Sequence, residues 1–198
     1  MRTCTLLILL LAGSASAQSA KPAETHTVKI GEHTFTLPKG FTIEKVAGSP
    51  LIERPVNGSF DDKGRLYVTD SSGSNDKPTD QVKNPTHRVV RLESSKKDGI
   101  FDKSVVFADK LSFLEGALWF EGSLYVAAPP VILKLTDTDG DGVADKREVW
   151  FDGKTLTGCA NDLHGPYLGP DRKIYWTKGA FAEQEHTLKD GKKFKTRA

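Results

Sequence analysis

Three copies of one short pattern recur along this chain and limit what it can fold into. Gly58-Ser59-Phe60-Asp61-Asp62-Lys63-Gly64-Arg65-Leu66-Tyr67-Val68 matches Gly116-Ala117-Leu118-Trp119-Phe120-Glu121-Gly122-Ser123-Leu124-Tyr125-Val126. Gly165-Pro166-Tyr167-Leu168-Gly169-Pro170-Asp171-Arg172-Lys173-Ile174-Tyr175-Trp176 is a third copy. Each reads as a strand, a tight acidic or Gly/Pro turn, and a strand ending in an apolar–Tyr–apolar triplet. A second pattern is interleaved with the first. Val89-Val90-Arg91-Leu92 followed by Asp98-Gly99-Ile100-Phe101-Asp102-Lys103 aligns with Ile132-Leu133-Lys134-Leu135 followed by Asp141-Gly142-Val143-Ala144-Asp145-Lys146. Its offset of about 43 residues is the period of a four-stranded propeller blade. Solenoid repeats are shorter or helical, and no segment here carries a 3.6-residue apolar period.

The expected fold is therefore all-β, a β-propeller over residues 41–198. Three strand pairs give about three blades, whereas closed propellers use roughly four to eight. The reading is of a larger, incomplete propeller truncated at its C-terminus, or of several copies assembling into one ring. An open arc would leave a bare sheet edge. Ahead of it, Thr27-Val28-Lys29-Ile30, Gly31-Glu32 and His33-Thr34-Phe35-Thr36-Leu37 read as a small hairpin within an N-terminal segment of residues 18–40. Phe41 to Val46 alternates as a further strand.

Between two strands of the second pattern lies Asp137-Thr138-Asp139-Gly140-Asp141-Gly142-Val143-Ala144-Asp145-Lys146-Arg147-Glu148. Carboxylates fall at positions 1, 3, 5, 9 and 12 of a twelve-residue loop with glycine at position 6, the spacing that wraps oxygen ligands around Ca²⁺. The candidate metal ligands are Asp137, Asp139, Asp141, the Val143 carbonyl, Asp145 and Glu148. Short apolar strands flank the loop, and Pro129-Pro130 forbids a preceding helix, so this is a calcium loop joining two strands and not an EF-hand. Glu148 as a ligand would ordinarily depend on an outgoing helix. In the earlier copy Ser94, Lys96 and Val105 replace Asp137, Asp139 and Glu148, which assigns it no metal.

The chain opens with Met1-Arg2, an apolar run from Leu6 to Leu11, and Ala15-Ser16-Ala17. Residues 1–17 read as a secretory signal peptide with an A-x-A cleavage site. The expected location is thus exported, periplasmic or extracellular, with no transmembrane segment after cleavage. Cleavage leaves Cys159 as the one cysteine, so stability must come from packing and from Ca²⁺. With 28 Lys and Arg against 26 Asp and Glu, interspersed, nothing points to nucleic acid.

Two stretches could carry chemistry. The polar loop Ser71 to Asp80 follows the first Leu-Tyr-Val strand and is either a binding loop or a surface excursion. His87, just after it, reads as structural. Thr157-Gly158-Cys159-Ala160-Asn161-Asp162-Leu163-His164-Gly165-Pro166 gathers a thiol, an amide, a carboxylate and an imidazole. His164 is the candidate general base, with Asp162 or Asn161 setting its tautomer or binding a polar group. The alternative is a turn whose polar side chains satisfy local backbone. Cys159 reads as a small buried hydrophobe.

Pro55 to Phe60, Val68 to Asn75, Val126 to Pro130 and Gly158 to Pro166 together resemble the planctomycete-type membrane-bound dehydrogenases, from about Phe41 onward. That resemblance implies further propeller blades and often helical repeats and a haem domain in full-length relatives. No Cys-x-x-Cys-His motif is present to hold a haem. More distantly, His164 with Leu168-Gly169-Pro170-Asp171-Arg172-Lys173-Ile174-Tyr175-Trp176-Thr177 is similar to soluble quinoprotein glucose/sorbosone dehydrogenases. There a histidine before such a strand takes the substrate hydroxyl proton while hydride passes to pyrroloquinoline quinone. The implied function is a quinoprotein-like dehydrogenase acting on a small polar substrate, a sugar or alcohol, with this chain alone inactive. The rival readings are a calcium-binding propeller for carbohydrate or protein recognition without turnover, and an inactive truncated copy.

Overall fold

The computed structural model describes residues 24–158, 163–179, 183–188 and 190–196. The predicted signal peptide, Cys159, Asn161 and Asp162 lie outside the described residues. The chain divides into two units, Met1–Glu44 and Lys45–Ala198. In the first, β1 (Thr25–Ile30) and β2 (His33–Pro38) form the predicted hairpin, with Val28 opposite Phe35. Gly31 turns it at φ +60°. The predicted strand at 41–46 does not form: residues 41–48 are irregular, and the Val46 carbonyl accepts the Phe101 amide at 2.9 Å in place of a ladder.

The second unit is all-β apart from one short helix. β3 (Pro55–Phe60), β4 (Leu66–Asp70), β5 (His87–Glu93) and β6 (Lys103–Leu111) form an antiparallel sheet in chain order. β7 (Gly116–Phe120), β8 (Ser123–Ala128), β9 (Val131–Thr136) and β10 (Lys146–Asp152) form a second sheet of the same order. β11 (Leu163–Leu168) pairs with β12 (Ile174–Lys178), and β13 (Glu185–Thr187) with β14 (Lys193–Lys195). None of the sheets closes on itself. The three sequence repeats are the hairpins β3–β4, β7–β8 and β11–β12. The interleaved pattern is the hairpins β5–β6 and β9–β10.

Alternation of side chains places successive residues on opposite faces, and both faces of the central strands are covered. One cluster lies between the two four-stranded sheets: Tyr67, Val89 and Phe107 from the first pack with Leu124, Val126 and Leu135 of the second. Tyr67 stacks on Trp119 with centroids 4.8 Å apart and meets Phe107 edge-on at the same distance. Burial pushes the Tyr67 phenol up to about 12. The outer face of the first sheet has its own cluster, in which Val68, Val90 and Leu92 pack with Ile52 and Phe101. Beyond the second sheet, Tyr125, Ala127 and Ile132 pack on Leu163, against which Ile174 and Trp176 also lie. β8 is buried along its whole length, which explains its unbroken Leu-Tyr-Val-Ala-Ala run.

The loop read as wholly polar contains α1 (Pro78–Lys83), a single helical stretch. Proline in its first turn needs no amide partner, and Asp80 and Lys83 sit at the ends that the helix dipole favours. It is too short to show an apolar period.

Candidate functional site

The first strands β3, β7 and β11 each begin next to a repeat glycine, and the residue before that glycine carries the polar chemistry. Asn57, Glu115 and His164 occupy this position before Gly58, Gly116 and Gly165. The Asn57 Oδ1 accepts the Ala117 amide of the next sheet at 3.1 Å, and Ser59 Oγ accepts the Trp119 amide at 2.8 Å. One sheet further on, Glu115 Oε2 lies 3.3 Å from Nδ1 of His164. A Cβ on Gly116 would stand 2.1 Å from the Gly165 carbonyl oxygen, so only glycine lets the two strands approach this closely. That approach brings the Glu115 carboxylate to the imidazole. Both side chains are about one-third exposed, at 30% and 34%. The structure thus gives His164 a carboxylate neighbour from β7, alongside the predicted partners Asp162 and Asn161, which fall outside the described residues.

The same end of the first sheet carries the 71–86 loop. His87 opens β5 and is 5% exposed. Its Nδ1 accepts the Ser72 amide at 2.9 Å, so the ring proton sits on Nε2, which faces Gln81 Oε1 at 3.0 Å. Gln81 Nε2 in turn donates to the Asp76 carbonyl at 2.8 Å. Burial holds the His87 imidazole below its ordinary range. His87 is structural, as read from the sequence, and what it structures is the candidate binding loop. Asp70, at 2% exposure, fixes the loop's other root. Its Oδ1 accepts the Arg54 amide at 2.6 Å, and its Oδ2 accepts Nε and Nη2 of Arg88 at 2.9 and 2.8 Å.

Between loop and strand start is a cavity of about 220 Å³. Ser71, Ser74, Gln81, His87 and Glu115 supply its polar lining, and Phe113 its aromatic wall. Glu115 therefore belongs both to the cavity and to the contact with His164. Sequence reasoning missed Glu115. The signal was present, since it precedes a repeat glycine just as His164 does.

At the opposite end of the strands, the acidic loop gathers part of its predicted ligand set. One carboxylate oxygen from each of Asp137, Asp139 and Asp141 lies within 4.8 Å of the others. Asp137 turns the backbone by accepting the Gly140 and Gly142 amides at 2.7 and 2.9 Å. Asp145 instead binds Thr138 through both its amide, at 2.8 Å, and its hydroxyl. Those bonds hold the Asp145 carboxyl below the usual carboxylate range. Glu148 lies on β10 opposite Lys134 and pairs with Lys146 at 3.0 Å. Val143 donates its amide to Asp141 at 2.7 Å.

The earlier copy of the loop has the same frame without the cluster. Asp102 binds the amide and hydroxyl of Ser95, and Asp98 accepts the Ile100 amide at 3.0 Å. These bonds match those of Asp145 and Asp141 position for position. Asp145 is thus part of the frame common to both loops, whereas Asp137 and Asp139 are particular to the second.

No curated protein and no solved structure matches the chain. A family model described as a domain of unknown function, DUF7133, matches residues 29–198. With that match running from the N-terminal hairpin through β14, the chain belongs to the DUF7133 family.

Proposed function

We propose that the two four-stranded meanders and the β11–β12 hairpin are successive blades of a larger β-propeller. In this reading the protein is the N-terminal portion of an exported, quinoprotein-like dehydrogenase that oxidises a sugar or alcohol. The observation that carries it is the His164 imidazole 3.3 Å from Glu115 at the loop-bearing end of the sheets. A base beside a carboxylate can take a hydroxyl proton while the negative charge steadies the imidazolium that forms. Sheet stacking in chain order, with first strand against first strand, supports the blade assignment.

Two absent groups bear on this reading. Calcium fits the oxygen donors of Asp137, Asp139 and Asp141, which would hold it and brace the corner between β9 and β10. Pyrroloquinoline quinone would supply hydride acceptance. It is polyanionic, and the described lining of the His164-side cavity contains no Lys or Arg, so no residue here is assigned to it. That lining favours a second reading, recognition of a neutral carbohydrate without turnover.

Dye reduction with a panel of sugars and alcohols separates the two, using the chain and a longer form carrying further blades, each with added quinone and Ca²⁺. Dehydrogenation predicts turnover that His164→Ala abolishes. Sugar binding with no turnover in either form would leave recognition as the function.

A further inference from the structure

We propose that the cavity between the 71–86 loop and the start of β7 binds one small, neutral, polyhydroxylated molecule, a sugar or polyol, with Glu115 taking its hydroxyls and Phe113 its carbon face. This deepens the reading of the His164 end as the working site and rests on that placement, but not on dehydrogenation. Three observations carry it.

The first is the composition of the wall. Its polar groups are two hydroxyls, a carboxamide, an imidazole and a carboxylate, and the described lining has no cation. An anionic ligand would meet the Glu115 charge without compensation. A neutral polyol offers hydroxyl donors to the carboxylate, whose two oxygens have room for several hydrogen bonds beyond the contact with His164. Phe113 and two aliphatic side chains give the C–H face of such a ligand an apolar surface.

The second is preorganisation. His87 and Gln81, 5% and 7% exposed, are locked to one another, to the Ser72 amide and to the Asp76 carbonyl. Ser74 Oγ donates to Asp76 at 2.8 Å. The polar wall is held by bonds that exist before any ligand arrives, so little ordering is left for binding to supply. Phe113 is held at φ +46°, backbone that an aromatic residue rarely adopts. Such a conformation persists where the surrounding structure fixes the residue in place.

The third is size. About 220 Å³ is smaller than the roughly 300–1,000 Å³ of pockets for drug-sized ligands, and suits a single sugar unit.

The test is a ligand titration of the full chain followed by NMR of the His87 and Phe113 ring resonances. The probes are D-glucose, sorbitol and glucose 6-phosphate, each up to about 100 mM, since affinities near the millimolar range are expected for so small a site. The proposal expects saturable shifts of both rings with glucose or sorbitol, and weaker binding of the phosphate. Phe113→Ala and Glu115→Ala should each weaken polyol binding at least tenfold. Glu115→Gln should narrow the gap between the phosphate and glucose, because the repelling charge is gone. If a variant loses its dispersed spectrum, Ser74→Ala decides in its place, with the same loss of affinity expected. Shifts absent with both polyols, or unchanged by Glu115→Ala, overturn the proposal. The dehydrogenase reading fails separately: polyol shifts without dye reduction by the longer form remove turnover and keep the cavity, whereas His164-dependent turnover with silent cavity resonances does the reverse.

Discussion

Gly116 shows how much can depend on one missing side chain. Its place between β7 and β11 leaves 2.1 Å between a hypothetical Cβ and the Gly165 carbonyl oxygen, a backbone atom that cannot swing away. Gly116→Ala should therefore cost about 1–3 kcal/mol, the usual range for overpacking. A fall in the urea midpoint at unchanged slope reports it. Gly158→Ala, with nothing within 4 Å of the new Cβ, is the control and should stay within about 0.5 kcal/mol. His87 yields a pH prediction. Its folded-state value is lowered by burial, so the native state prefers the neutral ring. The unfolded chain takes up the proton first as pH drops below about 6.5, and stability is lost from there down through the depressed folded value. Above that window the contribution is fully present. Groups near the ring are Gln81, Ser72 and, across the cavity, Glu115. Thermal melts from pH 8 to pH 5 should fall less steeply in His87→Gln than in the parent chain.

Among the elements, the paired loops after β5 and β9 separate frame from ligand set. The clamp of Asp145 on Thr138 recurs as Asp102 on Ser95, so it closes the loop whether or not a cation is held. Only the second loop gathers three carboxylates. Under the calcium proposal, saturating Ca²⁺ at about a hundred times its dissociation constant adds roughly 2.7 kcal/mol to the folded state. Asp137→Asn combined with Asp141→Asn should abolish the calcium-dependent rise in Tm, while Asp102→Asn in the first loop should leave it intact. A rise that survives in the double variant would remove the site from the protein. The twelve-residue spacing was legible in the sequence because ligand spacing is a local property. The departure of Glu148 to Lys146 was not, because it depends on β10 leaving the loop as a strand.

For the whole second unit, stability concentrates where the two meanders face one another. Phe107 is fully buried against Tyr67, and Phe107→Ala should cost about 3–5 kcal/mol, read from chemical denaturation. Phe60, 61% exposed on the outer side of the first sheet, should lose less than about 1 kcal/mol on the same change. A comparable loss at both positions would mean that the outer face is as closely packed as the inner one.

What the sequence by itself determined was the set of strand pairs. The repeats spell out hairpins β3–β4, β7–β8 and β11–β12 and the interleaved β5–β6 and β9–β10, because alternation and turn chemistry act within a dozen residues. Helix α1 escaped notice, since six residues are too few for a period to emerge. The tertiary structure alone decided which residues meet across sheets. Glu115 and His164 are far apart in sequence, and no local pattern pairs them. They meet because first strands stack and Gly116 permits backbone contact there. The cavity beside them likewise exists only once His87 has tied the 71–86 loop to the end of its sheet, a constraint of packing and long-range hydrogen bonds that local propensity does not encode.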